Sequence, residues 1–77
     1  MSRTPLDELT RDLRTDLGHE VSGEVLERAI VRGLAVLNAD LGTGYAMVTD
    51  SGGKYVEPGL SPLHREMLLM QALAYLV

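Results

Sequence analysis

Hydrophobic residues recur along the chain in three helical stretches, with one alternating stretch between the second and the third. Leu6, Leu9, Leu13 and Leu17 fall at spacings of three, four and four, a narrow stripe on one helical face. Thr4 is placed as the N-cap of this helix and Pro5 at its first position, with Asp7 and Glu8 near the positive end of the dipole. Gly18 supplies the stop. A second helix opens after Ser22 as cap, with Glu24 in its first turn and Val21 and Leu26 placed as a hydrophobic staple. Val25, Leu26, Ala29, Ile30, Gly33, Leu34, Val36, Leu37 and Leu41 then fill about half the cylinder at ~100° per residue, more than one short helix covers. Val31 projects from the other side among Glu27, Arg28 and Asn38, and Gly42 and Gly44 end the helix.

From Tyr45 the pattern changes. Tyr45-Ala46-Met47-Val48-Thr49 and Lys54-Tyr55-Val56-Glu57 are short β-prone runs around Asp50-Ser51-Gly52-Gly53, which predicts a hairpin with a four-residue connection. An isolated hairpin is marginal in water, so it must lie on the helices or on another subunit. The third helix is capped by Ser61, with Pro62 at its first position and Glu66 just beyond the first turn. From Met67 to Val77 its side chains are apolar around the whole axis, with Gln71 the one interruption. A helix apolar on every side belongs in a core or against partners. No glycine, asparagine or basic residue ends it, so the native chain is expected to continue beyond Val77. The expected fold is one mainly α domain over residues 1–77, helix–helix–β-hairpin–helix, with helices near 5–17, 23–41 and 62–77 and the hairpin near 45–57.

Composition sharpens this picture. Below roughly 70–80 residues a single core seldom supplies more than ~3–5 kcal/mol, and small domains lean on disulfides, metals or oligomerisation. This 77-residue chain has no cysteine, Phe or Trp, yet 45% of it is hydrophobic. Oligomerisation is therefore the expected staple. Seven basic residues against eleven acidic ones give a formal charge of −4, and the arginines are interleaved with acids, so sequence-specific nucleic-acid binding is not expected. The polar start, Met1 to Thr4, lacks the apolar run of a signal peptide. The apolar stretch from Met67 falls short of the ~20 residues of a membrane helix, so no membrane contact is expected.

The chain offers little recognisable chemistry. Ser22 and Ser61 are accounted for as caps and Ser51 as a turn residue, while Ser2 has no partner in sequence. Asp16, His19 and Ser22 offer the residue types of a triad, but at a helix junction with nothing to suggest an oxyanion hole. His64 and Glu66 lie two apart, not at the i, i+4 spacing of a helical metal site. Gly52-Gly53-Lys54 lacks the preceding glycine and following Ser or Thr of a phosphate loop and reads as a turn. Glu24 with Arg28, and Glu27 beside Arg32, are placed as intrahelical ion pairs. The expectation is a non-enzyme with no cofactor, no metal and no catalytic residue.

The stretches Leu9–Gly18, Val25–Leu41, the Tyr45–Pro58 hairpin and Leu63–Leu76, in that order, resemble the head-to-tail adaptor (connector) proteins of tailed bacteriophages and gene-transfer particles. The resemblance lies in helix order and leucine placement across nearly the whole chain. It implies a structural virion subunit, assembled in the bacterial host cytoplasm and located in the neck. There such proteins form a ring, typically of twelve copies, between the portal protein and the tail or stopper protein. Members usually carry further helical sequence beyond the point matching Val77. On this reading Leu69, Leu73 and Leu76 of the third helix, and Tyr45, Val48 and Tyr55 of the hairpin, are the candidate contacts; equally, each could complete the monomer core. Two other classes fit the same pattern: a small cytoplasmic dimerisation or regulatory module, and a fragment of a larger enzyme whose missing domain covers the third helix.

Overall fold

The computed structural model describes residues 3–77. In chain order it contains β1 (Thr4–Pro5), α1 (Leu6–Leu17), α2 (Gly23–Leu41), β2 (Ala46–Asp50), β3 (Gly53–Glu57) and α3 (Pro62–Leu76). The fold is mainly helical, as the periodicity predicts, with a small antiparallel sheet in the order β1-β3-β2.

Local chemistry explains most of the boundaries. The Ser22 hydroxyl accepts from the Val25 N–H, and the Ser61 hydroxyl accepts from the His64 N–H, so both expected caps form. Gly18 and Gly42 adopt the left-handed conformation, with φ of 80° and 67°, and their N–H groups close the last turns onto Arg14 and Asn38 carbonyls. At the start of the chain the expectation fails. Pro5 takes the cap position of α1 with no side-chain hydrogen bond, and Thr4 is a strand residue instead. Thr4 pairs with Val56 and is buried, and its Oγ1 accepts from the Leu60 N–H at 2.8 Å. That hydroxyl satisfies a loop amide rather than a helix start.

The hairpin is also tighter than predicted. Asp50 and Gly53 pair in the ladder, leaving Ser51 and Gly52 as a two-residue loop. The Asp50 carboxylate accepts from the Gly52 N–H at 2.8 Å, and Gly53 takes φ of 129°, a conformation that glycine tolerates. Successive strand residues alternate between faces. Met47 and Val56, paired across the ladder, therefore face the helices, while Val48 and Tyr55 share the outer face.

The core draws on every layer: Leu9 and Leu13 from α1, Leu26, Ile30 and Leu37 from α2, Val56 from β3 and Leu68 from α3 are fully buried. Gly33 sets the distance between α2 and α3. A Cβ at that position would lie 2.8 Å from Leu68 Cδ1 and 3.3 Å from the Leu68 carbonyl oxygen. Asn38, assigned from the pattern to the exposed side of the second helix, is half-buried and pins the following loop. Its Nδ2 donates to the Tyr45 carbonyl, and its Oδ1 accepts from the Thr43 hydroxyl and the Tyr45 N–H.

Two substitutions test this packing. Gly33→Ala gains about 1 kcal/mol of helix propensity but collides with Leu68, and such overpacking costs ~1–3 kcal/mol. Chemical denaturation should show a net loss of stability, whereas Gly23→Ala, where nothing lies within 4 Å, should leave it unchanged or higher. Thr4→Val removes the acceptor of the Leu60 amide and should lower the unfolding free energy by about 1–2 kcal/mol, an effect Thr4→Ser largely avoids.

Candidate functional site

Three sides of α3 meet three different surroundings. Leu68 and Ala72 turn toward α2 at Gly33, and Leu69 lies with them in the core. Toward α1, the Arg65 guanidinium donates to the carboxylates of Glu8 and Asp12. Those hydrogen bonds, Glu8 first, raise the Arg65 pKa above its ordinary value. The remaining side carries Leu63, Met70 and Ala74 at spacings of seven and four, which a helix stacks into a single row, with Val77 just past its end. Leu63 and Met70 are each 67% exposed and Val77 is 91% exposed. This row is the largest departure from an ordinary small-domain surface, because scattered single apolar residues are normal but an aligned set is not.

The row does not stand alone. Half-buried Met67 beside it joins Met70 and Gln71 of α3 and Val36 of α2 in lining a shallow apolar depression between the two helices. Farther along, Tyr75 leans across to α2, with the Arg32 guanidinium 5.0 Å from its ring centroid. The α2–α3 groove thus combines an apolar floor with Arg32 at one end and Asp40 at the other.

The six residues singled out from sequence are not brought together. Leu69 is 7% exposed and packs in the core, while Leu73 and Leu76 are half-buried against it. Tyr45 also faces inward, its hydroxyl hydrogen-bonded to His64 Nδ1 at 2.7 Å with the rings edge to face. Val48 and Tyr55 form a separate outer patch, where the Arg3 guanidinium lies 4.9 Å from the Tyr55 centroid. Sequence reasoning missed Leu63 and Met70 as the exposed members. The pattern of α3 alone could not single them out, because the helix is apolar on every side; the cue lies on α2, where Gly33 admits Leu68 and so turns the opposite side of α3 outward.

Charged residues tie elements together instead of pairing along one helix. Arg3 bridges Asp50 and Glu57, and Lys54 Nζ donates to Glu27 at 2.8 Å. The pairs expected within α2, Glu24 with Arg28 and Glu27 with Arg32, are not formed; Glu27 is taken by the hairpin lysine. The hydrogen bond from Arg3, followed by that from the Gly52 N–H, holds the Asp50 carboxyl below its ordinary pKa. Lys54, the residue of the phosphate-loop lookalike, is thereby engaged with a carboxylate. Asp16, His19 and Ser22 are exposed, and no hydrogen bond joins them. Ser2 lies outside the described residues. Among the described residues, no group of three or more histidines and carboxylates is arranged to hold a metal ion, and no helix is long and apolar enough to cross a membrane.

No protein-family model, no curated protein and no solved structure matches the chain.

Exposure and burial along α3 predict opposite mutational responses. In dilute solution Met70→Lys should change the unfolding free energy by no more than about 0.5 kcal/mol, as for an open surface position. Leu68→Ala, one helical face away, should cost ~2–5 kcal/mol by leaving a cavity against Gly33. Equal losses in the two variants, measured by urea denaturation, would place Met70 in the core instead.

Proposed function

We propose that the chain is a structural subunit of a tailed-phage or gene-transfer-particle neck, a head-to-tail adaptor assembling as a ring between the portal and the tail or stopper protein. The observation that carries this reading is the solvent-facing row Leu63–Met70–Ala74 on α3. The described residues leave this side of α3 open to solvent, and in a ring subunit such an apolar side is covered by its neighbours. The order of helices and hairpin, on which the adaptor resemblance rests, supports the same reading. So does the acidic balance, since a surface poor in cationic phosphate contacts lets DNA pass without adhering.

The mechanism is mechanical. Each α3 presents its apolar row to an adjacent subunit, and Val48 and Tyr55 on the outer face of the sheet are available to the next component along the particle axis. Binding energy comes from apolar burial in both contacts, and no chemical step is required. Purified particles from the source of the gene provide the test. Mass spectrometry should find the chain in the particles, and cryo-electron microscopy should place multiple copies as a ring at the portal vertex. Particles that lack the chain, with tails joined normally, would remove the adaptor reading.

A further inference from the structure

We propose that the α2–α3 groove is self-complementary, so that two copies of the free chain pair across it about a two-fold axis, α2 against α2 and α3 against α3, each antiparallel. The charge pattern on the α2 rim carries this pairing. Val36 stands at its middle, with Arg32 one turn to one side and Asp40 one turn to the other. Both are exposed, and among the described residues neither belongs to an ion pair. They are about 12 Å apart along the helix at its standard rise. An axis crossing the helices at Val36 brings Arg32 of each copy opposite the partner's Asp40. Two equivalent ion pairs then bracket an apolar centre. A parallel pairing would set arginine against arginine and aspartate against aspartate, so the pattern selects one geometry and rejects the other.

The α3 side obeys the same symmetry. Val36, Met70 and Gln71 border one depression and so lie level with one another. The axis therefore passes between Met70 and Gln71, and Met67 falls opposite the partner's Ala74. A long flexible side chain meets a small one, the complementarity that lets two helices approach closely. Arg32 is already held over the Tyr75 ring, which orders the guanidinium at the rim before any partner arrives. A partner of unrelated sequence has no reason to carry this antisymmetric arrangement, and a second copy carries it necessarily.

This pair does not rest on the adaptor reading. An isologous contact closes on itself and cannot propagate into a ring. It describes the chain before assembly, and a ring built on the same face opens the pair on incorporation.

Sedimentation equilibrium over a range of concentrations tests the pair. The wild-type chain should be dimeric, and Arg32→Asp and Asp40→Arg alone should each raise Kd at least ~tenfold through like-charge contacts. The double variant, which exchanges the two charges and preserves the pairing, should return Kd to within about threefold of wild type. Circular dichroism spectra of all three variants should match wild type, because both side chains are exposed. A monomer at every concentration, a dimer indifferent to the single reversals, or a folded double variant that stays weak would each overturn the pair. A closed ring in solution would overturn it while upholding the adaptor reading.

Discussion

The approach of α3 to α2 at Gly33 governs the rest of the molecule. Without a side chain at that position, the Leu68 backbone can come close enough for its carbonyl oxygen to lie 3.3 Å from where a Cβ would be. The contact fixes the rotation of α3 about its own axis. Leu68, Leu69 and Ala72 then enter the core, and the opposite row necessarily turns outward. On a helix with ordinary amphipathic patterning, this rotation would bury the apolar face and solvate the polar one. Here the same rotation leaves apolar side chains in water, because the sequence offers no polar face from Met67 onward except Gln71.

The remaining elements reinforce that orientation. Arg65 ties the N-terminal half of α3 to Glu8 and Asp12 of α1, while Tyr45 reaches His64 from the segment that Asn38 anchors to α2. These links run between elements distant in sequence. Exposed ion pairs contribute little to stability individually, but contacts of this kind fix geometry. The three-stranded sheet serves the same end. Val56 and Met47 close the core from one side, and the Arg3 bridges to Asp50 and Glu57 bind the N-terminal segment across the outer face of the hairpin.

Much of the fold was legible in sequence, and the failures have identifiable causes. The helices could be placed because their signals are local: leucine periodicity, serine caps and glycine stops depend on residues within one turn. Thr4 was misassigned because its partners, Val56 and Leu60, lie far along the chain. The Pro5 ring biases the preceding residue toward extended backbone, which a strand residue and an N-cap share, so that local cue does not separate them. Ion pairs within α2 were expected from spacing alone, and a hairpin lysine outcompeted them. The excess of apolar surface on α3 was visible in composition, but its exposed members were not, since an all-apolar helix gives no moment from which to choose its buried side. Leu69 and Leu63 look alike in sequence and differ only through Gly33.

That last ambiguity carries meaning for assembly. A strongly amphipathic helix announces a single buried face, and selection for solubility acts on the other. A helix that is apolar all round can satisfy the monomer with one face and an additional surface with another, and the sequence does not reveal which face does which. α3 divides into a core side at Leu68 and Ala72 and an open apolar side at Leu63 and Met70. Arg32 and Asp40, which form no ion pair among the described residues, border that open side on the neighbouring helix. Charges that serve only solubility can fall anywhere on a surface. Opposite charges set symmetrically about the middle of an apolar groove constrain what can lie in it, which is the physical basis for reading this face as a contact surface and not as a defect of packing.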